Sequence, residues 1–385
     1  MNNFWNESIW NGINDEVRKV AGATRVAQKV FPTVILNNPS NIPDDTFDLT
    51  NNTIFEGLTR PLVEISTLFR LTPNQVANEA SLQTALKLAK LRASDLARIE
   101  DLIIFQGNNA FTPPNPPLVA QRENVRNLRV QTVGTGLLGV ATTQIPGTFA
   151  PNPPIAVQPL APPQPGVQYG QNTLAAVVQG IGVLNGQSQP GPFALILDYR
   201  IVADAYSVLG GTLTKTADLI TPLVTGGFFG TAALPAFTGL LVSLGGAPIT
   251  IYLGVEATTA FTTKSYYEDY LFRVFERVQF DARDPRALVR LNFAPVILRL
   301  TPNNGPVNAQ TLVTIEGFGS RRIASVLFDQ TVILPGNVAA GQFEVVDDAH
   351  ISLPAPLRAN AGAVNVTVTS LDNLTSAPVQ FTYNP

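Results

Sequence analysis

An uninterrupted helical pattern from Ala80 to Phe105 is the feature that most constrains the fold. Apolar residues recur there at steps of three and four residues, which places them on one stripe, whereas most charged residues fall off it. No Gly or Pro interrupts the pattern, Asn78 or Ser81 can serve as N-cap, and Gly107 supplies the usual stop. At about 1.5 Å per residue these 26 residues span roughly 39 Å, more than the ~30 Å width of a small domain. The sequence therefore predicts a strut helix in an α+β protein.

The chain carries few charges, and they are unevenly placed. Charged residues make up 14% of the 385 residues, against about 25% in ordinary globular proteins. No Asp, Glu, Lys or Arg occurs between Val130 and Leu197, or between Leu219 and Val255. Surfaces so poor in charge are usually covered, and subunit interfaces are the strongest candidates. We therefore expect a homo-oligomer, although residues 141–170 could equally form a loosely ordered, Pro-rich spacer.

The composition also argues against several classes of function. The net charge of −3 gives no electrostatic reason for nucleic-acid binding. No apolar run reaches the ~18 residues of a membrane span, and the first residues lack the pattern of a signal peptide. The chain contains no Cys, which excludes disulfides and Cys-based metal sites. We expect a soluble, cytoplasmic protein.

The sequence contains only incomplete versions of the motifs for catalysis or cofactor binding. The GxGxxG pattern at 134–139 precedes residues that cannot form the required helix. His350 is the only histidine, so the familiar triads and two-His metal sites lack a partner within one chain. The acidic residues at 44–48 lack the spacing of a calcium loop, and Ser188 does not fit the nucleophile-elbow pattern. Glu100 lies on the apolar stripe of the strut helix, where we expect it to pair with a neighbour in a structural role. We expect no enzyme activity, no metal and no cofactor.

The rest of the chain divides into a mixed part and an all-β part. An amphipathic helix is predicted over 8–29, and prolines crowd the stretch 113–165. Residues 192–197 read as a buried strand, and residues 238–244 and 248–254 as two strands joined by a Gly-Gly turn, as in a hairpin. Residues 266–280 alternate as a half-buried strand does. After Ala294, short β segments separated by turn residues predict a sandwich of about ninety residues.

Several of these segments together resemble the encapsulin shell proteins, which share the capsid fold of HK97-like phages. The matching segments are RIEDLIIFQG at the end of the strut helix, GPFALILD, VTGGFF at 224–229, the strand pair with its Gly-Gly turn, and DPRAL. The resemblance implies a shell domain over 1–293, followed by a separate domain. Its parts are an N-terminal arm (1–36), an extended E-loop (37–70), a spine helix (80–105) and an A-domain (about 137–262).

The tail begins with PVILRLTPNNGPVNAQTLVTIEGFGS, which resembles the start of an IPT/TIG domain, an immunoglobulin-like module. The fold class expected for the whole chain is therefore α+β, with an HK97-like capsid fold followed by an immunoglobulin-like sandwich over 294–385. Fold alone does not name a ligand for this sandwich.

The encapsulin resemblance implies a shell protein that self-assembles into an icosahedral compartment around a cargo protein, with the sandwich outside. The alternative is the major capsid protein of a phage or prophage, which packages DNA. A third class, an extracellular adhesive or carbohydrate-binding protein, is suggested only by the tail.

The resemblance also implies two functional surfaces. In the first, the N-terminal helix faces the lumen, where a terminal peptide of the cargo docks on Trp10, Ile13, Val17, Val20 and Phe31. The second is a pore loop around a symmetry axis, formed by Gly210, Gly211, Thr212, Leu213, Thr214 and Lys215. An ordinary turn of the A-domain is the alternative for this loop.

Overall fold

The structure is a computed structural model that describes residues 4–37, 39–43, 46–48, 53–55, 57, 59–111, 134–144, 149–161, 167–208, 214–264, 269–347 and 349–385. The helices are α1 (Glu7–Thr24), α2 (Ala27–Val30), α3 (Pro73–Ala77), α4 (Glu79–Leu82), α5 (Thr84–Gln106), α6 (Gly136–Val140), α7 (Gln171–Gly186), α8 (Tyr199–Tyr206) and α9 (Thr216–Ile220). The first thirteen strands are β1 (Thr33–Ile35), β2 (Asn41–Pro43), β3 (Thr46–Asp48), β4 (Thr53–Phe55), β5 (Thr59–Pro61), β6 (Val63–Leu71), β7 (Ile155–Val157), β8 (Phe193–Asp198), β9 (Gly227–Thr231), β10 (Thr238–Ser243), β11 (Ile249–Lys264), β12 (Tyr270–Ala282) and β13 (Leu288–Phe293). The remaining strands are β14 (Val296–Thr301), β15 (Asn304–Pro306), β16 (Leu312–Phe318), β17 (Ile323–Phe328), β18 (Thr331–Ile333), β19 (Glu344–Val345), β20 (His350–Pro354), β21 (Gly362–Ser370) and β22 (Val379–Asn384).

The strut helix is α5, and it begins later than its sequence pattern predicts. Gln83 adopts a left-handed conformation with φ of 50°, which separates α5 from the short helix α4. The carboxylate of Glu79 accepts hydrogen bonds from the backbone N–H groups of Ala85 and Leu86, at 2.7 and 3.0 Å. A carboxylate there satisfies donors that have no partner within the helix. Glu79 thus takes the capping role that the sequence assigned to Asn78 or Ser81.

The chain divides into two compact units, of which the first comprises Met1–Asn152, Leu184–Ala194 and Val242–Leu288. Its sheet has the strand order β1-β11-β12-β6, with β11 antiparallel to β12, β12 antiparallel to β6, and β1 parallel to β11. Helix α5 packs on β6 and β12, and α1 packs on α5 and β11. Phe272, Val274 and Val278 are buried on β12, in the alternation that the sequence predicts for this strand.

A narrow two-stranded ribbon extends from this sheet before β6. Strand β2 pairs with β5, and β3 pairs with β4, both antiparallel. These four strands, at 41–43, 46–48, 53–55 and 59–61, lie within the segment expected to form the E-loop. Strand β6 follows the ribbon and belongs to the sheet itself.

The Gly-Gly turn at 245–246 does not close a hairpin, so this prediction is wrong. Strand β10 before the turn lies in the sheet β7-β13-β10-β8-β9, whereas β11 after it pairs with β12. Strand β11 is also 16 residues long, well beyond the predicted 248–254. A Cβ atom on Gly245 would lie 2.6 Å from the carbonyl oxygen of Pro190, so the close passage of two backbones explains this glycine. The expected A-domain range, about 137–262, thus includes residues that pair with β12.

The second unit comprises Pro153–Val183, Leu195–Leu241 and Val289–Pro385. The strand predicted over 192–197 is confirmed as β8, which begins at Phe193 and whose residues 194–198 are all buried. Helix α7 lies close to β10, because a Cβ atom on Gly180 would lie 2.6 Å from a side-chain methyl carbon of Leu241.

The second unit also contains the predicted sandwich. One sheet has the order β14-β16-β20-β19 and the other β15-β22-β21-β17-β18. Their facing side chains form one apolar core, whose largest members include Phe328, Phe343 and Phe381. The predicted all-β sandwich is therefore confirmed. Within the described segments, no helix is long and apolar enough to cross a membrane.

Candidate functional site

The N-terminal arm lies against its own chain, and this decides what the five expected docking residues can contact. Ile13, Val17 and Phe31 are 2%, 0% and 2% exposed. Trp10 and Val20 are half-buried. The apolar stripe predicted for this helix is therefore present, but α5 and β11 cover most of it. Only Trp10 and Val20 of the five present a side-chain surface beyond the chain's own core.

An aromatic cluster anchors the start of the arm. The indole N–H of Trp5 donates a hydrogen bond to the carbonyl of Val76 at 2.8 Å, and its ring stacks on Phe272 with centroids 5.1 Å apart. The ring of Trp10 lies 4.9 Å from that of Trp5. Asn6 between them caps α1 by accepting a hydrogen bond from the N–H of Ile9.

Sequence analysis missed Trp5, although a signal for it was present. An apolar residue just before the N-cap often packs on the fourth residue of the helix, in the hydrophobic staple. Trp5, Asn6 and Trp10 have this spacing. The staple fixes the direction in which the chain enters α1.

A cluster of buried charges holds the end of the arm. Arg25 Nη1 lies 3.0 Å from Glu100 Oε2, and Arg25 Nη2 lies 3.5 Å from Glu276 Oε2. The side-chain amide of Gln28 donates a hydrogen bond to Glu100 Oε1 at 2.6 Å. The structural pairing expected for Glu100 is therefore present, and its partners come from the arm and from β12.

Asp101, the next residue of α5, binds the arm backbone directly. Its carboxylate accepts hydrogen bonds from the N–H of Val26, at 2.8 and 3.1 Å to its two oxygens, and from the N–H of Ala27 at 2.8 Å. These donors lie at the start of α2, where backbone N–H groups lack partners within the helix. Asp101 thus caps α2 from another element.

Burial raises the pKa of the three carboxyl groups. Burial first, and then the charge of Glu276, raise the pKa of Glu100 well above its usual value, against the effect of Arg25. Burial also raises the pKa of Glu276, although Arg25 opposes this. Burial and the charge of Glu100 raise the pKa of Asp101 to about 7. Burial disfavours the charge of Arg25, but Glu276 and Glu100 outweigh it and raise the pKa of the guanidinium.

Most of the expected pore loop, Gly210, Gly211, Thr212 and Leu213, lies outside the described residues, whereas Thr214 and Lys215 are described. Val208 and Lys215 form an antiparallel bridge, so the two ends of the loop meet. The bridge lies between α8 and α9.

The surface beside this loop is apolar. Its large exposed side chains are Tyr206, Val208, Leu219 and Leu223. The ring of Tyr206 is parallel to that of Phe228, with centroids 6.0 Å apart. We call these five residues the apolar rim.

The immunoglobulin-like sandwich is fastened to the rest of the second unit by an ion-pair triad. Asp372 accepts from Arg290 on β13 at 2.9 Å and from Arg322 in the sandwich. The hydroxyl of Tyr169 donates to the carbonyl of Ala294 at 2.5 Å. The link between β13 and the sandwich is therefore held both by the ion-pair triad and by the hydrogen bond from Tyr169.

The rejected motifs have structural roles. Gly107 and Gly136 have φ of 58° and 65°, and a Cβ atom on Gly107 would lie 2.3 Å from the backbone N of Gly136. Gly136, from the rejected GxGxxG pattern, and Gly107 thus permit the end of α5 to meet α6. His350 Nδ1 lies 2.9 Å from Asp347 in an exposed turn.

Comparisons with known proteins agree with this architecture. Residues 295–383 match the family model of the IPT/TIG domain. The virus-like particle from Pyrococcus furiosus is similar in structure, with 13% sequence identity over 74% of this chain and 99% of that chain and a TM-score of 0.50. The capsid of an empty GTA particle shares 14% identity over 70% and 96% of the two chains, with a TM-score of 0.47. The procapsid of satellite phage P4 shares 11% identity over 72% and 90%, with a TM-score of 0.44. The comparison with curated proteins gave no match. The chain has an HK97-like capsid fold followed by an IPT/TIG domain.

Proposed function

We propose that this protein assembles into a closed icosahedral shell of encapsulin type that encloses a cargo protein. The apolar rim carries the assembly part of this proposal. Two of its residues, Leu223 and Phe228, lie in the charge-free stretch between Leu219 and Val255, and the rim leaves several large side chains exposed on a single subunit. Burial of such surface between copies is favourable at roughly 25 cal/mol per Å² of apolar area. Stable interfaces bury roughly 1,200 to 2,000 Å², and several on each subunit would enclose a volume.

Sedimentation and electron microscopy of the purified protein test assembly. We expect closed particles, and only monomers or small oligomers at micromolar concentration in mild salt would contradict the proposal. Leu219→Glu places a charge on the apolar rim and should prevent closure. Leu334→Glu is the matched control, since Leu334 is also exposed but lies in the sandwich. Intact particles from Leu219→Glu would show that the apolar rim is not part of a subunit interface.

We further propose that the surface beside Trp10 and Val20 receives a terminal peptide of the cargo. Both side chains are half-buried and lie on the apolar side of α1, so a peptide can add to a stripe that α5 already covers in part. Ile13 and Val17 then contribute indirectly, because their burial holds α1 in place. Replacing them by Asp would place a charge in the core, so loss of loading in those variants would not identify a docking face.

Substitution at the half-buried positions separates docking from folding. Val20→Asp should lower cargo loading at least about tenfold while shells still form, since a charge in an apolar peptide interface must be desolvated. Ala23→Asp is the control on the same helix, because Ala23 is exposed and lies off the stripe. Equal loading by the two variants would contradict the docking surface.

The capsid of a DNA-packaging phage is the alternative function. The net charge of −3 gives the chain no excess of cations for binding a polyanion. Nuclease-resistant DNA inside purified particles would favour this alternative, and protein cargo without nucleic acid would favour the encapsulin function.

We also propose that the sandwich decorates the outside of the shell, since a domain of this size on every subunit would fill a lumen needed for cargo. A chain that stops after Ala294 should form particles of the same diameter without outer protrusions. Failure to assemble would make the sandwich a part of the wall. Loss of density from inside the particle would place it in the lumen.

A further inference from the structure

The buried charges at the end of the arm do not balance. Arg25, Glu100, Asp101 and Glu276 are each no more than 5% exposed. One guanidinium thus faces three carboxyl groups in an interior of low polarity. Burying an unpaired charge costs several kcal/mol, and proteins usually avoid this cost by keeping the group neutral.

The surrounding elements do not supply the missing cation. On β11, the pairing with β12 is irregular between Val255 and Thr258, so Glu256 lies in a bulge, where its charge also acts on Arg25. On β6, Ile65 is opposite Glu276, and Glu64 binds arginines on the other face of the sheet. Other charged residues of α1, α2 and the nearby part of α5 lie at the surface: Asp15, Glu16, Arg18, Lys19, Lys29 and Arg98.

The geometry of the oxygen atoms shows where a proton belongs. Among the described residues, no N–H or O–H is aligned as a donor to Glu100 Oε2 or to either oxygen of Glu276. Arg25 lies close enough to form ion pairs, but its N–H bonds do not point along these contacts. Both carboxyl groups contact the same guanidinium, Glu100 at 3.0 Å and Glu276 at 3.5 Å. A proton on one of these carboxyl groups removes one of the excess negative charges.

We propose that this cluster is a proton-dependent latch, which holds the N-terminal arm on α5 at neutral and lower pH and releases it when the cluster loses its protons. The arm contributes Arg25 and the two N–H groups bound by Asp101, whereas every carboxyl group belongs to α5 or β12. Detachment of α1 and α2 therefore opens the acids to water, while β1 stays paired with β11 in the sheet. The latch concerns the subunit alone and does not depend on the proposed shell function.

The direction of the pH dependence follows from the raised pKa values. Each acid binds its proton more tightly with the arm docked than in water, where the usual pKa of Glu is 4.5. The docked state therefore holds more protons between that value and the raised one, and its stability falls as pH rises through this window. For Asp101 the window reaches about pH 7. The docking equilibrium then falls by up to tenfold per pH unit for each proton released.

The chain contains its own reporter for this transition, because its two tryptophans, Trp5 and Trp10, both lie in the arm. Tryptophan emission and acrylamide quenching of the full-length protein are measured from pH 5 to pH 9, with far-UV circular dichroism alongside. We expect emission to shift to longer wavelength and quenching to rise at least about twofold above pH 7, while most of the helix signal is kept. Constant emission over this range overturns the latch, and so does a change that coincides with loss of the whole circular dichroism signal.

Glu276→Gln removes one of the acids while keeping the shape of the side chain. It should move the midpoint upward by about one pH unit or more, because one fewer charge must be buried. Asp15→Asn is the matched control: it changes the net charge equally, but its side chain is 73% exposed on α1. Equal midpoints in the two variants overturn the latch. If Glu276→Gln does not fold, Glu100→Gln tests the same proton and should give the same upward shift.

Discussion

The two ends of this chain are fastened by different kinds of charge. The arm is held by one arginine and three carboxyl groups, all of them deeply buried. The sandwich is held by two arginines, Arg290 and Arg322, that share Asp372, and these three side chains keep 14–19% of their surface exposed. The first set has an excess of acid in a dry environment, whereas the second has an excess of cation beside water.

The difference predicts which attachment responds to pH. Arginine stays protonated under ordinary conditions, even though burial lowers the pKa of Arg290 against the effect of Asp372. The sandwich should thus stay fastened across the neutral range. Burial instead raises the pKa values of the acids around Arg25, so the arm should loosen as pH rises. The attachment of the arm should therefore depend on pH, because its buried charges do not balance, whereas the partly exposed triad should hold the sandwich at any pH in this range.

Arg25→Ala is the most severe test of this contrast. It leaves the acids of the cluster without their cation, and removing one partner of a buried ion pair costs about 3–5 kcal/mol. Urea unfolding followed by circular dichroism measures the loss. Replacing Arg25 by Met together with Glu100 and Glu276 by Leu should cost much less, since Asp101 is then the one acid left in the cluster and still accepts from the N–H groups of Val26 and Ala27. A loss below about 1 kcal/mol for Arg25→Ala would mean that the cluster is hydrated.

Trp5→Ala tests the other anchor of the arm. Trp5 is 7% exposed, stacks on Phe272 and donates to Val76, so its truncation should cost about 3–5 kcal/mol. Trp10→Ala removes the same volume from a half-buried position and should cost less. Thermal unfolding by circular dichroism compares the two. Equal losses would contradict the assignment of Trp5 as the main anchor, and a larger loss for Trp10→Ala would transfer that role to Trp10.

Local patterns predicted much of this fold, because the relevant information lies within a few residues. The strut helix, strand β8 and the strands of the sandwich follow from periodicity and turn residues. The Gly-Gly turn misled the prediction, since the pattern of β11 does not reveal that its antiparallel partner is the following strand, β12, and not the strand before it.

The candidate site was harder to predict for the same reason. The stripe on α1 was found, but periodicity does not say whether Ile13 and Val17 face a cargo or the chain's own α5. Glu100 was recognised as structural from its place on an apolar stripe. Its partners, Arg25 and Glu276, lie 75 and 176 positions away in the sequence, beyond the reach of any local pattern.

Asp372→Asn tests the attachment of the sandwich. Loss of this charge leaves Arg290 and Arg322 close together without an anion, which should cost about 1–3 kcal/mol. Calorimetry should show a separate, earlier transition for the sandwich. Asp329→Asn is the control, since Asp329 and Arg358 form an exposed pair at 3.2 Å and should contribute less than about 1 kcal/mol. Equal effects would show that the triad does not fasten the sandwich.

The smallest expected effect comes from an exposed pair that also joins the arm to α5. Glu16 lies 2.8 Å from Lys90, and this contact, followed by the charge of Lys19, lowers the pKa of Glu16. A lowered pKa has the opposite sign to the latch: its contribution is present above the usual carboxyl pKa and is lost as pH falls. Tryptophan emission below pH 5 should therefore show a slight loosening of the arm in wild type that Glu16→Gln removes. Because the pair is exposed, 1 M NaCl should suppress the effect, whereas the alkaline transition of the buried cluster should persist in salt. If salt also removes the alkaline transition, surface charge holds the arm at both low and high pH.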